Sequence, residues 1–90
     1  MNSIMQLRKE CFVCHKTYDL HKHHVYGGGK RQVSEDNGLW CYLCFDHHTG
    51  EHGVHKLPRA DDALKKLCQE AFEEEHSRED FINLIGKSYL

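Results

Sequence analysis

The chain has 90 residues, a net charge of −2 and a hydrophobic fraction of 39%. A chain this short forms one domain at most, and its apolar core alone gives marginal stability, so we expect an additional staple. No apolar run approaches the roughly 20 residues of a membrane span, and the first residues lack the basic and apolar regions of a secretory signal, so we expect a cytoplasmic protein with no membrane partner.

Cysteine and histidine are concentrated in one part of the chain. Eight of the nine histidines and four of the five cysteines lie between Cys11 and His55. The cysteines are expected to be thiols or metal ligands, because disulfides are rare in a reducing compartment. Residues 1–59 carry a balance of +2 and residues 60–90 a balance of −4, so a polyanion should bind the first part.

In chain order, the first predicted elements are strands over residues 18–26 and 39–43. Between them, the glycines and basic residues of segment 27–31 predict a long hairpin loop that cannot be a helix. A short helix should follow over residues 44–50. We therefore expect one domain over 1–90, in which residues 11–55 form the core.

Residues 58–90 are predicted to form a helical extension that supports this core. Apolar residues recur at helical spacing from the start of this segment, namely Ala60, Ala63, Leu64, Leu67, Ala71 and Phe72. Pro58 suits the first turn of this helix, and Cys68 on the same stripe is predicted to be a packed thiol. Ser77 and Asp80 resemble a capping box that begins a second short helix, which Gly86 would end.

Two CxxC pairs, Cys11 with Cys14 and Cys41 with Cys44, indicate a structural Zn2+ site. Cys44 and His47 have the same spacing, so two ligand sets compete. One contains Cys11, Cys14, Cys44 and His47, and the other uses Cys41. We favour the first set, because alternation along the second strand points Cys41 toward the core.

The histidines outnumber what one structural zinc can use, which implies a second metal site. A histidine on a strand and another on the following helix can hold an ion with positions open to water and substrate. Because strand neighbours point to opposite sides, one of His23 and His24 can be a ligand and the other a base. His48 and His52 can share a helix face, although His52 and His55 both also suit an exposed loop.

From about Cys11 to His55 the chain resembles the HNH endonucleases, also called His-Me finger nucleases. The shared features are a CxxC pair, a strand ending in two histidines, an asparagine, and a cysteine and histidine that open a helix. Over nearly the whole chain, the motifs His-His-Val-Tyr-Gly-Gly-Gly and Gly-Lys-Ser-Tyr-Leu are similar to small phage nucleases of the RecA-dependent recombination-enhancement family. The resemblance implies a small α+β fold with a zinc-stapled ββα-metal (HNH) core and two C-terminal supporting helices.

The resemblance also implies residue roles. His23 and His48 would bind a catalytic divalent metal, which could be Mg2+, Mn2+, Ni2+ or Zn2+, and His24 would be the general base. The same resemblance implies that His52 or His55 completes this metal site.

The asparagine of the family corresponds to Asn37, which would orient the base. Asn37 lies eleven residues before His48, whereas the family usually places this asparagine nine residues before the helix histidine. Asn37 followed by Gly38 also suits a turn between the strands.

The implied function is hydrolysis of phosphodiester bonds in DNA by a phage protein, in recombination or DNA processing inside a bacterial host cell. Lys22, Lys30 and Arg31 could bind flanking phosphates, although they also suit solvated loop charges. So few basic residues predict weak binding, unless a recombinase or a phage packaging protein delivers the nucleic acid. A non-catalytic zinc module that binds nucleic acid or a protein partner remains the alternative.

Overall fold

The computed structural model describes residues 1–90 and contains a two-stranded sheet, one 3-10 turn and four α-helices. In chain order these are β1 (Leu20–His24), the 3-10 turn (Gly28–Lys30), α1 (Arg31–Asp36), β2 (Trp40–Cys44), α2 (Phe45–His48), α3 (Pro58–Phe72) and α4 (Arg78–Ile85). The prediction of a small α+β fold is therefore confirmed.

The antiparallel hairpin determines which face each histidine occupies. His23 lies opposite Cys41, and His24 lies opposite Trp40. Because successive strand residues point to opposite faces, His23 shares a face with Cys41 while His24 shares the other with Trp40. Both strands form where they are predicted, but β1 is shorter, since Asp19 before it has a φ of 53° and is not extended.

The prediction of a non-helical connection between the strands is wrong, because this segment contains the 3-10 turn and α1. Gly28 turns the chain with a φ of 57°, a conformation that glycine adopts without steric cost. Ser34 in α1 is buried, and its hydroxyl donates a hydrogen bond of 2.8 Å to the carbonyl of Tyr26. A helix of six residues is not stable alone, so tertiary contacts hold it.

Both C-terminal helices begin at the predicted residues, and the second also ends at the predicted one. Pro58 is the first residue of α3. The side chains of Ser77 and Asp80 form the capping box of α4, and Gly86 ends this helix with a φ of 110°. Local sequence features therefore define both ends of α4.

The buried face of α3 contains Leu64, Cys68 and Phe72 at intervals of four residues. Leu67, which the apolar periodicity assigns to the same stripe, is 47% exposed. The larger of two core clusters contains Val25, Tyr26, Leu39, Cys68, Phe72, Phe81 and Ile85. The smaller contains Cys11, Cys41, Leu43, Cys44, Val54 and Leu64. The helical extension therefore packs against the hairpin through both clusters.

The first residues of the chain bind to the outer side of β2. The backbone N–H of Tyr42 donates to Oε1 of Gln6 at 2.7 Å, and that of Ile4 donates to the carbonyl of Gly38 at 2.9 Å. Gly38 has a φ of 70°, and a Cβ there would collide with the carbonyl oxygen of Asn2, so this approach requires glycine. These contacts cover a strand edge that would otherwise expose backbone donors and acceptors.

Candidate metal centres

Four ligand atoms from three chain segments converge where β2 ends. They belong to Cys11 and Cys14 before β1, Cys44 at the end of β2 and His47 in α2. Sγ of Cys14 lies 3.8 Å from Sγ of Cys44, and Nδ1 of His47 lies 3.2 Å from Sγ of Cys44. Nδ1 of His47 also lies 3.8 Å from Sγ of Cys11. The backbone N–H of His15 donates to the carbonyl of Cys11 at 2.9 Å, which closes a turn that contains the first two cysteines.

These separations fit a tetrahedral zinc ion. Zn–S bonds of about 2.3 Å place two sulfurs of a regular tetrahedron about 3.8 Å apart, which matches the distance between Cys14 and Cys44. Burial opposes ionisation of Cys11, but hydrogen bonds from the backbone of Cys14, Cys44 and Val13 outweigh it and lower its pKa to about 6. Since the thiolate is the form that binds metal, the cluster could hold a metal such as zinc.

Cys41 lies outside this cluster. Its side chain is fully buried in the smaller core cluster, and burial raises the pKa of its thiol to about 12. A buried thiol that stays protonated is a poor metal ligand. The fold therefore brings together the ligand set with His47 and not the set with Cys41. Cys68 is also buried, with a pKa raised to about 12 by burial, as expected for a packed thiol.

Three histidines form a second cluster. His23 lies on β1, His48 ends α2, and His55 lies in the segment before α3. Nε2 of His48 lies 3.0 Å from Nε2 of His55, and one nitrogen of each ring lies within 4.8 Å of the other two. Two nitrogens bound at about 2.1 Å to adjacent positions of an octahedral ion are about 3.0 Å apart. This trio of His23, His48 and His55 therefore suits a metal ion whose other positions remain available.

Burial and neighbouring charge keep two rings of the trio in the neutral form, which can donate a lone pair to a metal. Nε2 of His23 is the one buried side-chain nitrogen or oxygen without a hydrogen-bond partner, and such an unpaired atom is costly unless a ligand uses it. Burial, with a contribution from His48 and His55, lowers the pKa of His23 to about 4. Burial, with a contribution from His55 and His21, lowers the pKa of His48 to about 4. Both rings are thus neutral near pH 7, as metal ligands must be.

Two other histidines have different contacts. Nδ1 of His21 lies 2.9 Å from Nδ1 of His48, so His21 can fix the orientation of that ring as outer partners of metal ligands do. No role was predicted for His21 from the sequence. Nδ1 of His52 instead pairs with the carboxylate of Asp46 at 3.0 Å, and the His52 side chain is 69% exposed. Of the two residues predicted to complete the second site, His55 is a member of the trio and His52 is not.

His24 bonds to an acid that sequence analysis missed. Nε2 of His24 lies 2.9 Å from Oε1 of Glu35 in α1. Nζ of Lys22 lies 3.2 Å from Oε2 of the same carboxylate. The hydrogen bonds from His24 and Lys22 lower the pKa of the Glu35 carboxyl. Glu35 was not predicted as a site residue because it lies in α1, a helix that the sequence analysis did not predict.

Asn37 is not brought to His24. It follows the last residue of α1, and its side-chain amide donates a hydrogen bond of 2.8 Å to the carbonyl of Val33. Gly38 comes next with a φ of 70°, so this pair forms the turn into β2. The orienting role implied for Asn37 by the family pattern has no supporting contact in the fold.

The histidines face an open cleft of about 290 Å³. Its walls are formed by Lys22, His23, His24, Gly27, Gly28, Arg31, His48 and His55. A Cβ added to any of the glycines at 27–29 would meet nothing within 4 Å. A bulky ligand can therefore approach the backbone on this side of the cleft.

The three predicted phosphate-binding residues differ in their surroundings. Lys30 and Arg31 form no ion pair within the chain. Lys22 is paired with Glu35, and its Nζ also lies 4.1 Å from the centre of the Trp40 ring. Lys30 and Arg31 are thus free to bind an anion, and contact of all three with nucleic acid stays a prediction.

Comparison with known proteins identifies no relative. No protein-family model, no curated protein and no solved structure matches the chain. None of its helices is both long enough and apolar enough to cross a membrane. What the site can do therefore follows from its residues, their distances and their electrostatic surroundings.

Proposed function

We propose that the chain is a metal-dependent endonuclease of the HNH type, which hydrolyses phosphodiester bonds in DNA. The observation that carries this proposal is the trio of imidazoles in one cleft with a separate histidine, His24. One trio member, His23, has an unpaired buried nitrogen. The order of two strands and a helix, with histidines on β1 and α2, supports the HNH assignment.

The two candidate metal centres suit different tasks. The cysteine cluster offers four protein ligands, which is typical of a closed structural zinc site. The trio offers three imidazoles, a donor set that suits Zn2+ or Ni2+ better than Mg2+, which prefers oxygen ligands. A divalent ion bound there would stabilise negative charge on the phosphate and on the leaving oxygen.

In the proposed reaction, His24 acts as the general base. Its imidazole takes a proton from water, and the water oxygen attacks the phosphorus. The bond between phosphorus and the 3′ oxygen breaks, and the leaving oxygen takes a proton from solvent. Both the base and the trio border the same cleft, and the proposed reaction requires that one phosphate contact both.

DNA binding in this proposal depends on few cations. Lys30 and Arg31 lie free beside the glycines and would contact phosphates on either side of the cut. With a net charge of −2, the chain should bind weakly and with little sequence preference. We therefore propose that a recombinase or a phage packaging protein delivers the substrate, in recombination or DNA processing within an infected bacterial cell.

Cleavage assays test this function. The wild type and His24→Ala are dialysed against a weak chelator that spares thiolate-bound zinc, and then receive Mg2+, Mn2+, Ni2+ or Zn2+ with plasmid or single-stranded DNA. Nicking by the wild type should return with metal, and His24→Ala should be slower by about 100-fold or more, since it lacks a general base. His76→Ala, which changes an exposed histidine outside the cleft, is the matched control and should nick normally.

A negative result would favour a different function. If the wild type cuts no DNA with any of these metals and retains a single zinc ion, the catalytic proposal fails. The retained zinc site would then fit a module that binds a protein partner or nucleic acid without cutting it.

A further inference from the structure

A carboxylate from the connection between the strands contacts the proposed base. We propose that Glu35 is a positioning residue for His24, holding the imidazole through Nε2 and leaving Nδ1 to accept the proton of water. This inference rests on the proposed nuclease function. It gives Glu35 the orienting role that the family pattern would assign to Asn37.

The contact is short and well protected for a surface helix. Oε1 of Glu35 lies 2.9 Å from Nε2 of His24, whose side chain is only 12% exposed. Oε2 of the same carboxylate is 3.2 Å from Nζ of Lys22. Nζ of Lys22 also lies 3.4 Å from Oε1, so the carboxylate cannot rotate away from His24 without changing its contacts to Lys22.

The backbone that carries Glu35 is fixed on both sides of the connection. Ser34, the preceding residue, is fully buried, and its hydroxyl donates to the carbonyl of Tyr26 at 2.8 Å. The carbonyl of Ser34 accepts the backbone N–H of Leu39 at 2.9 Å. These bonds tie α1 to the chain just after β1 and just before β2. The carboxylate thus projects toward His24 from an anchored helix.

The chemistry of the pair sets the tautomer of His24. An ionised carboxylate can only accept hydrogen bonds, so a neutral ring must carry its proton on Nε2 to bond with Glu35. Nδ1 then keeps the lone pair that a base needs. His24 borders the cleft together with Gly28 and Arg31, where a phosphate and its attacking water would bind.

Nuclear magnetic resonance of the zinc-loaded chain tests the contact without requiring activity. Long-range correlations between ring protons and nitrogen-15, recorded at about pH 8, report which nitrogen of His24 carries the proton. We expect protonated Nε2 in the wild type and a mixture of tautomers in Glu35→Ala. Asp36→Ala removes a neighbouring acid of the same helix and should leave the wild-type pattern.

Cleavage kinetics test the role in the reaction. Glu35→Ala should lower kcat by about 10- to 100-fold, the usual effect of removing an outer partner of a functional histidine. KM should not rise, because no phosphate contact is lost and Lys22 is released from its ion pair. Asp36→Ala should leave both constants unchanged, and thermal unfolding confirms that each variant is folded.

The two experiments distinguish a failure of the positioning role from a failure of the nuclease proposal. Protonated Nδ1 in the wild type, or the same tautomer in folded Glu35→Ala as in the wild type, would overturn the positioning role while cleavage by the wild type still stood. A wild type that shows protonated Nε2 but cuts no DNA would overturn the nuclease, and with it the catalytic role of Glu35.

Discussion

His23 and His24 are neighbours with the same side chain, but the fold gives them different surroundings. His23 is 6% exposed and packs edge-on against His48 and His55, whereas His24 bonds to Glu35. Alternation along β1 causes the difference, since it sends adjacent side chains to opposite faces. In the proposed nuclease, two consecutive residues thereby supply a metal ligand and a base.

Cys41 and Cys44 differ in the same way, and substitution should separate their roles. Cys44→Ser should release zinc and unfold the chain, because metal binding contributes on the order of 10 kcal/mol to the folding of small zinc domains. Cys41→Ala should keep one zinc per chain and lose about 1 kcal/mol of unfolding free energy, as for deletion of one methyl-sized group. Metal analysis after gel filtration and urea unfolding measure the two effects. Zinc retained by Cys44→Ser but lost from Cys41→Ala would reverse the ligand assignment.

The residues of the two clusters were not equally predictable from the sequence. The cysteine cluster is built from two closely spaced pairs, so spacing alone suggested it. His55 could be narrowed only to a choice with His52, because a turn that no periodicity reveals brings the backbone N–H of His55 to 3.1 Å from the carbonyl of His48. Glu35 left no local pattern at all, since its partner His24 lies across the hairpin connection.

The capping box of α4 gives a test of an element that the sequence did predict. Oγ of Ser77 accepts the N–H of Asp80 at 3.0 Å, and the Asp80 carboxylate accepts the N–H of Ser77 at 3.2 Å. Ser77→Ala should lower the free energy of unfolding by about 1 kcal/mol, whereas Ser77→Gly should lower it by only about a few tenths. Urea unfolding measures both variants, and equal stability of Ser77→Ala and the wild type would refute the capping role.

The helices show which elements a sequence can define. α3 begins with a proline, and α4 begins with a capping box and ends at Gly86. Local sequence rules were therefore enough to predict these two helices. α1 has six residues and one buried side chain, Ser34, so its stability comes from contacts with distant parts of the chain. The N-terminal segment along β2 escaped prediction for the same reason, because its hydrogen bonds depend on the position of β2.

The molecule as a whole has a small core and two candidate metal centres close together in the sequence. Only 20 of its 90 residues are buried, and they include two separate apolar clusters. The smaller cluster includes Cys11 and Cys44, so candidate zinc ligands sit within the apolar packing. Since so small a chain has limited apolar surface to bury, we infer that zinc binding supplies part of its stability. Both candidate metal centres lie in residues 1–59, the part with a positive balance of charge.

The most direct test of two metal centres with different tasks is a count of bound ions. The wild type, His48→Ala and His52→Ala are dialysed against a weak chelator and titrated with Ni2+ in a calorimeter, after metal analysis has counted the retained zinc. All three should retain one zinc ion, and the wild type and His52→Ala should bind a second ion. His48→Ala should bind that ion more weakly by about 10-fold or more. The proposal that the trio binds a second metal ion would be contradicted by a wild type without a second site. It would also be contradicted if His48→Ala bound the second ion as strongly as the wild type.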